Sequence, residues 1–353
     1  MKRFLLVLIT ITALVILPGF NVSAQKKGVL NLYNFLDYIP KDIIQEFERE
    51  YNVKVNEKKY KSNEEMWDEL LKLGAKGKAY DGGKKYDIVI PAGDYAVAMK
   101  GLQMLEKINK NSIPNLKNID SKIASNMTHD PDFDYLIPYM VSGVGVVVNK
   151  KFLTDYQRNM DLFLRPDLKN KIVFLDNLRG VIGLAQLKLG YSVNSVDQNE
   201  LNKSKNLILD WKKNMRGWGN KSYSKALATG DIWVAVGIPE DIFSEMSRLE
   251  KRDMDFFVPQ EGAPMYMNLF VIPKGSSNLE EAHKFINFIL TPKIYVRIAD
   301  ALGSPGVTRL ISTLRTVKPL YSLDDIKNNS FIDYVPNELF TQLYMPLWES
   351  VKK

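Results

Sequence analysis

The chain has 353 residues, of which 45% are hydrophobic and 25% are charged, so it has ample material for a folded core. The absence of cysteine excludes disulfides, thiolate metal sites and cysteine catalysis, and two histidines leave little scope for acid–base chemistry near neutral pH. The formal charge of +7 becomes 7 − 2 = +5 once Lys2 and Arg3 are removed, and the lysines are scattered, which argues against nucleic-acid binding.

The first 24 residues have the pattern of a cleavable export signal. Lys2 and Arg3 precede an apolar run from Phe4 to Phe20, and Val22-Ser23-Ala24 supplies the small residues that signal peptidase requires. Because the run approaches spanning length, an uncleaved membrane anchor is the alternative. Without cysteine the mature chain cannot be a lipoprotein, so we expect a free periplasmic protein beginning at residue 25.

Strands and helices alternate in the first third of the chain. Apolar alternation predicts strands at Val29–Leu36 and Val53–Tyr60, and the buried-type run Tyr86–Ala92 predicts a third strand. An amphipathic helix follows the first strand, and a capping box over residues 62–65 predicts a helix as far as Leu73. A loop is expected over residues 74–85. This rhythm predicts a parallel sheet whose ligand lies at the carboxyl ends of the strands, near residues 35–38 and 92–95.

A second set of elements begins near residue 134. The segment Asp134–Lys150 is β-branched and glycine-rich, which favours a strand that passes between two lobes. The further predicted elements are strands at Ile172–Leu175, Ile232–Gly237, Phe256–Pro259 and Leu269–Ile272, helices at Val181–Leu189 and from about Glu240, and an amphipathic helix from Ser277 that ends before Pro292.

No residue pattern indicates an enzyme. His129 lies in a polar stretch and His283 follows an alanine on a helix, and both are expected at the surface. The phosphate-loop, dinucleotide and nucleophile-elbow motifs do not occur. We therefore expect no catalysis, no metal and no cofactor, although a hydrolase that uses carboxylates alone remains the formal alternative.

Six short segments form an ordered pattern between Leu30 and about Tyr334. They are Leu32-Tyr33-Asn34-Phe35, Tyr38-Ile39-Pro40, Tyr86-Asp87-Ile88-Val89-Ile90-Pro91, Ile137-Pro138-Tyr139, Leu187-Lys188-Leu189-Gly190-Tyr191-Ser192 and Ala282-His283-Lys284-Phe285-Ile286-Asn287-Phe288. In this order and with this spacing, the segments resemble the spermidine/putrescine-binding proteins of bacterial ABC importers.

The resemblance implies a type II periplasmic-binding-protein fold, an α/β architecture of two lobes with mainly parallel sheets and a hinge. Lobe 1 would comprise residues 25–142 and about 269–306, and lobe 2 residues 143–268 and about 307–353. A ligand would lie in the cleft between the lobes, and an ABC importer permease would recognise the closed form, with the protein expected as a monomer.

The resemblance also implies an amine site, in which aromatic rings contact the aliphatic stem and carboxylates bind the ammonium ends. Phe35, Tyr38 and Tyr266 are the implied aromatic residues, and Asn268 stands where the family has an aspartate. The acids Asp94, Glu240 and Asp333 are additions near the cleft, and Asp94 and Glu240 could instead be helix caps. The full set of candidate ligand-binding residues is Phe35, Asp37, Tyr38, Asp94, Asp176, Glu240, Tyr266, Asn268 and Asp333.

Departures from the family pattern leave the ligand open. Asn177 and Gly180 stand where two further acids are expected, and Gly237 and Ser304 replace aromatic residues. The first hypothesis is a polyamine ligand. The second keeps the fold and the transport role with a zwitterion, an amino-sugar-like amine or an anion as ligand.

Overall fold

The computed structural model describes residues 27–73, 82–219, 223–327 and 330–353. The predicted signal peptide, residues 1–24, lies outside the described residues, as does most of the predicted loop at 74–85. A search of the described ranges finds no helix that is long and apolar enough to span a membrane.

The first half of the chain alternates strands and helices. Its elements are β1 Gly28–Phe35, α1 Lys41–Tyr51, β2 Val53–Tyr60, α2 Asn63–Leu73, β3 Ile88–Val89, α3 Gly93–Gly101, α4 Ser121–Ser125, β4 Ile137–Gly143, β5 Gly145–Asn149, β6 Ile172–Leu175 and α5 Leu178–Lys188.

The second half continues this alternation and ends in helices. Its elements are α6 Gln198–Lys212, β7 Met215–Gly219, α7 Tyr223–Thr229, β8 Val234–Gly237, α8 Pro239–Ser244, α9 Arg248–Arg252, β9 Met254–Phe257, β10 Met265–Phe270, α10 Leu279–Ile289, α11 Pro292–Leu302, α12 Ile311–Leu314, α13 Asn337–Leu339, a π-helical turn Phe340–Tyr344 and α14 Met345–Lys352. Short 3₁₀ turns lie at Gly82–Lys84, Lys110–Ser112, Pro114–Asn118, Met160–Leu164, Pro166–Leu168 and Leu323–Asp325.

The first sheet has the order β2-β1-β3-β10-β4. The strands β1, β2 and β3 are parallel, and β10 pairs antiparallel with β4. Val89 and Val271 join the two groups, because each backbone N–H donates to the other's carbonyl at 3.0 Å. The β-α-β pattern of the sequence therefore predicts the parallel part of this sheet correctly.

The second sheet, β7-β6-β8-β5-β9, repeats the same plan. Its strands β6, β7 and β8 are parallel, and β5 is the reversed fourth strand between β8 and β9. Each sheet thus begins with three parallel strands, and the middle one of these comes first in the sequence. An antiparallel fourth strand follows, and then a strand at the edge of the sheet. This architecture of two similar α/β units is the one that the resemblance implies.

The chain passes between the sheets twice. The predicted long strand over residues 134–150 is divided at Val144 into β4, which belongs to the first sheet, and β5, which belongs to the second. The return occurs between β9 and β10, at residues 258–264. After this return β10 pairs with β4 from Met265 onward.

The C-terminal stretch contacts both units. The backbone N–H of Asp120 donates to Val307 O and that of Arg309 to Asn118 O, both at 2.9 Å, so residues 307–309 lie against the first unit. Later residues are packed on the second unit, where Asn194 Nδ2 donates to Phe331 O at 2.7 Å and Lys212 Nζ donates to Val351 O at 2.8 Å.

The prediction of a surface position for His283 is wrong. His283 is only 6% exposed, and its Nε2 accepts a hydrogen bond from the backbone N–H of Asn109 at 2.9 Å. The ring lies where α10 packs against the 3₁₀ turn at Lys110–Ser112, so a buried backbone donor satisfies it.

Pro292, expected to end the preceding helix, is also the first residue of α11, a position that suits proline.

Candidate functional site

The two sheets face each other at the carboxyl ends of their parallel strands. Tyr38 follows β1 and Asp94 lies in the first turn of α3 after β3, while Asn177 follows β6 and Glu240 begins α8 after β8. Tyr266 on β10 spans the gap, because its hydroxyl donates to Asn177 Oδ1 at 2.9 Å. We call this place the cleft. It is where parallel α/β sheets bind ligands.

A row of side chains crosses the cleft along β10. Tyr266 and Asn268 are two residues apart on this strand and therefore lie on the same face. The Tyr38 hydroxyl donates to Asn268 Oδ1 at 3.1 Å, and the backbone of Asn268 bridges to Ala92, two residues before Asp94. The cleft row consists of Glu240, Tyr38, Asn268, Tyr266 and Asp94.

Glu240 ends the row with a buried carboxyl group. Neither of its oxygens has a hydrogen-bond partner within the described part of the chain. Burial raises the pKa of Glu240 to about 8, the backbone N–H of Glu240 itself opposes that rise, and the negative charge of Asp241 adds to it. Burial raises the pKa of Tyr38 and of Tyr321, and the charge of Glu240 adds to the rise at both phenols.

These neighbours carry no positive charge. A buried carboxyl group without a partner is costly when ionised, so it retains its proton at neutral pH unless a cation is supplied. The Glu240 end of the row is therefore suited to a ligand that brings a positive charge and hydrogen-bond donors.

Asp94 is the acid at the other end. Burial raises its pKa, while the N–H of Tyr95, which donates to Asp94 Oδ1 at 3.0 Å, and the positive charge of Arg179 oppose that rise. Ala92, the N-cap of α3, makes no side-chain cap, and Asp94 lies in the first turn of the helix, where its carboxyl group accepts this backbone N–H. Its carboxyl group lies near Tyr266, whose pKa is raised by burial, lowered by Arg179 and raised again by Asp94.

Arg179 is a residue of the cleft that the sequence did not single out. Its guanidinium donates to Asn194 Oδ1 at 2.6 Å and lies 4.9 Å from the centroid of the Tyr344 ring. Its Nε is buried and has no hydrogen-bond partner in the described structure. The sequence could have indicated Arg179, because it lies two residues after Asn177, which itself lies just past a strand end.

Three predicted acids lie outside the row. Asp37 has a left-handed φ of 61°, and 82% of its side chain is exposed, beside Lys59 at 3.5 Å. This turn separates it from Tyr38, although the two are adjacent in sequence. Asp333 accepts from Thr128 Oγ1 at 3.2 Å and pairs with His129 at 2.9 Å, and Asp176 pairs with Lys352 at 2.6 Å.

Two cavities adjoin these outlying acids. Asp333, His129 and Asn194 line one of about 140 Å³, and Asp37 and Lys59 line another of about 370 Å³. Neither cavity contains a residue of the cleft row. We assign the row to the candidate site because its groups come from both sheets and include a buried carboxyl group without a partner.

Phe35 packs against Tyr38, a member of the cleft row. Its ring centroid lies 5.2 Å from that of Tyr38 and 5.4 Å from that of Tyr60, whose hydroxyl is bonded to Ile90 O at 2.6 Å. The Tyr38 carbonyl accepts from the Tyr139 hydroxyl at 2.6 Å. These contacts hold the Tyr38 ring at the first strand end.

Two of the departures from the family pattern, Gly237 and Gly180, have a steric explanation. A Cβ atom at Gly237 would lie 2.6 Å from the Tyr223 hydroxyl, and one at Gly180 would lie 3.2 Å from the Tyr266 hydroxyl. Tyr223 and Tyr266 thus fill space that larger residues at these two positions would need. Ser304 is buried and donates to Val141 O at 2.7 Å. Tyr223 and Tyr321 carried no sequence signal, since both come from segments far from the other cleft residues.

A metal centre finds no support in the ranges that the structure describes, where no group of three or more His, Cys, Asp or Glu side chains could hold an ion.

Comparison with known proteins gives a consistent set of relatives. Residues 42–315 match the family model described as bacterial extracellular solute-binding protein. A spermidine/putrescine-binding periplasmic protein of Escherichia coli (strain K12) is 30% identical over 337 residues, which cover 92% of each chain. A putrescine-binding periplasmic protein of Pseudomonas aeruginosa (strain UCBPP-PA14) is 29% identical over 347 residues, again covering 92% of each chain.

The solved structures agree with this result. The crystal structure of the Tp0655 (TpPotD) lipoprotein of Treponema pallidum is 35% identical to this chain, with a TM-score of 0.82. The match covers 92% of this chain and 99% of that one.

Proposed function

The chain belongs to the bacterial extracellular solute-binding proteins, and we propose that it captures a polyamine in the cleft and delivers it to an ABC importer. The observation that carries this proposal is the carboxyl group of Glu240, whose two buried oxygens have no partner in the described structure. A ligand ammonium would supply both the positive charge and the hydrogen-bond donors that this group lacks.

The rest of the row fits the remainder of such a ligand. A diamine is an aliphatic stem with a charge at each end, and the rings of Tyr38 and Tyr266 lie between Glu240 and Asp94. Ring faces accommodate the stem and attract the ammonium groups. Asn268 adds an amide group at the middle of the row.

The named relatives support the same ligand class. The Escherichia coli protein is described as binding spermidine and putrescine, and the Pseudomonas aeruginosa protein as binding putrescine. Both match this chain over 92% of its length.

We further propose that each sheet is the core of one lobe and that the lobes close on the ligand. The strand pairing favours a division in which β10 belongs wholly to the first lobe. In this account residues 1–24 direct export to the periplasm and are removed, and the chain acts as a monomer without catalysis. The permease would recognise the closed form.

Arg179 favours a second candidate ligand, a zwitterion with an ammonium group at one end and a carboxylate at the other. Its charge acts on Asp94 and Tyr266, and its Nε has no partner in the described residues. A ligand carboxylate at this end would pair with the guanidinium, while the ligand ammonium would still bind Glu240.

A melting-temperature series distinguishes the two ligand classes. Putrescine, cadaverine, spermidine and 4-aminobutyrate are each added at 1 µM to 1 mM, and the freshly purified protein is inspected by native mass spectrometry. The proposal expects a concentration-dependent rise with at least one polyamine and none with 4-aminobutyrate. A rise with 4-aminobutyrate alone supports the zwitterion, and no rise with any amine contradicts the polyamine proposal.

A further inference from the structure

The ammonium group of Lys352 is bound by a carboxylate and two tryptophan rings. Its Nζ lies 2.6 Å from Asp176 Oδ1, 5.3 Å from the centroid of the Trp218 ring and 5.4 Å from that of Trp348. The ring centroids of the two tryptophans are 5.0 Å apart with an interplanar angle of 65°, so the two rings meet edge to face. We call Asp176, Trp218 and Trp348 the outer cage.

The cage is built from the second sheet and the helix packed on it. Asp176 directly follows β6, and its backbone N–H donates to Gly219 O of β7 at 3.0 Å. That bond fixes Asp176 beside the strand that carries Trp218, while α14 brings Trp348. A carboxylate with two indole rings is the combination that binds alkylammonium groups well, because each ring face attracts a cation and the carboxylate neutralises it.

The cage adjoins the cleft. Asp176 is the residue before Asn177, whose Oδ1 accepts hydrogen bonds from the Tyr266 hydroxyl at 2.9 Å and from the backbone N–H of Gly180 at 2.7 Å. Asp176 and Asn177 both follow the end of β6, and Trp218 lies near the end of the neighbouring parallel strand β7, so the cage is at the same edge of the second sheet as the cleft. We expect a ligand longer than a diamine to extend in this direction.

Lys352 can be displaced from the cage. Its side chain is 31% exposed and that of Asp176 is 37% exposed, and ion pairs at such positions contribute little stability. The pair is thus accessible to a competing ammonium group, and the lysine would move into solvent without leaving a buried charge.

We propose that the outer cage is a second ammonium site, which Lys352 occupies in the free protein and which the third ammonium of a triamine takes over. This proposal rests on the proposed polyamine function, since the first two ammonium groups lie in the cleft. Lys352 is then a tethered competitor that lowers the affinity for triamines and leaves diamines unaffected.

The matched test is calorimetry of putrescine and spermidine with wild type, Lys352→Met and Lys213→Met. Lys213 pairs with the exposed Asp210 at 2.7 Å and serves as the control lysine. We expect Lys352→Met to bind spermidine about tenfold more tightly and putrescine with unchanged affinity, and Lys213→Met to match wild type. Adding Asp176→Asn to Lys352→Met should abolish the gain.

Two further readouts separate this proposal from the polyamine function. In wild type, the NMR signal of the Lys352 ammonium should shift with spermidine and not with putrescine. Ethylammonium at millimolar concentration should alter the tryptophan fluorescence of Lys352→Met and not that of wild type. If wild type binds neither polyamine, the proposed function fails, and the ethylammonium result alone decides whether the outer cage binds an ammonium group. If both polyamines bind and Lys352→Met changes nothing, the cage proposal is overturned.

Discussion

If Glu240 binds the ligand as we propose, it should couple ligand capture to pH. Its pKa of about 8 means that the free protein holds a proton on this carboxyl group at neutral pH. The ammonium of a bound amine stabilises the ionised form, so binding must release that proton. Asp241, on the same helix, makes ionisation harder, while the phenols of Tyr38, Tyr321 and Tyr223 stay neutral in this range because burial raises the pKa of each.

The affinity for putrescine should therefore rise with pH. Between pH 6 and pH 8 the dissociation constant should fall by about tenfold for each pH unit, and it should level off above pH 8, where Glu240 is already ionised. Calorimetry in two buffers of different ionisation enthalpy should detect about one proton released at pH 7. A dissociation constant that stays the same from pH 6 to pH 8 would contradict the role of Glu240.

The free energy of unfolding of the ligand-free protein should fall as the pH rises. Folding raises the pKa of Glu240, so the folded state holds this proton more tightly than the unfolded state does. The resulting stabilisation is complete below the unfolded pKa and is lost as the pH rises toward 8. Glu240→Gln should therefore melt at a higher temperature than wild type at pH 8.5 and at nearly the same temperature at pH 4. Thermal unfolding without ligand measures both differences.

Asn268 is the second residue whose substitution should change the affinity for putrescine. Its Oδ1 accepts the Tyr38 hydroxyl at 3.1 Å, and an aspartate would keep this acceptor and add a charge at the middle of the row. Asn268→Asp should strengthen putrescine binding about tenfold, because charge-assisted hydrogen bonds are stronger than neutral ones. Asn268→Ala is the matched control and should weaken binding. Equal affinities of all three proteins would place the ligand elsewhere.

At the scale of elements, Asp87 joins β1, β3 and the turn before α10. This fully buried carboxylate accepts hydrogen bonds from the backbone N–H of Asn31 at 2.7 Å, from Ser276 Oγ at 2.7 Å and from Asn278 Nδ2 at 3.1 Å. It thus connects a strand early in the chain to a segment that follows β10.

Asp87→Ala should lower the free energy of unfolding by about 3 kcal/mol, since several donors would be left without an acceptor. Urea unfolding measures the difference. Asp210→Ala, which removes an exposed carboxylate paired with Lys213, is the control and should stay within about 0.5 kcal/mol of wild type. A similar loss of unfolding free energy in both variants would show that the hydrogen bonds of Asp87 contribute no more to stability than an exposed ion pair does.

Elements with clear periodicity were predictable from sequence. The strands β1 and β2 lie within one residue of the predicted bounds, and α1 buries Ile43, Ile44 and Phe47 on one face as its pattern predicts. Ser62 accepts the N–H of Glu65 at 3.1 Å at the start of α2, as the capping pattern predicts. Local hydrogen bonds and amphipathic spacing are sufficient for such elements.

The arrangement of the cleft depends on contacts that no local pattern encodes. Tyr38 and Asp37 are neighbours in sequence, yet the positive φ of Asp37 leaves one in the row and the other in solvent. Arg179 and Tyr321 reach the cleft from segments more than a hundred residues apart. The resemblance to a family named Tyr38, Tyr266 and Asn268, whereas the Glu240 environment emerged only from the structure.

At the scale of the whole molecule, two sheets with the same strand order place four strand ends around one cleft. Tyr38 and Asp94 approach it from the first sheet, and Asn177 and Glu240 from the second. Any ligand held between Glu240 and Asp94 therefore touches both α/β units, and its binding free energy favours their approach. The chain contributes a carboxyl group from each unit, which explains how one amine could hold both units together.

Calorimetric titration of putrescine into wild type and Glu240→Gln decides whether this buried carboxyl group binds the ligand, with Asp37→Asn as the control acid outside the row. We expect Glu240→Gln to weaken binding by at least about 30-fold, because the ligand ammonium loses its buried partner, and Asp37→Asn to bind like wild type. Equal affinity of Glu240→Gln and wild type, or a loss confined to Asp37→Asn, would contradict it.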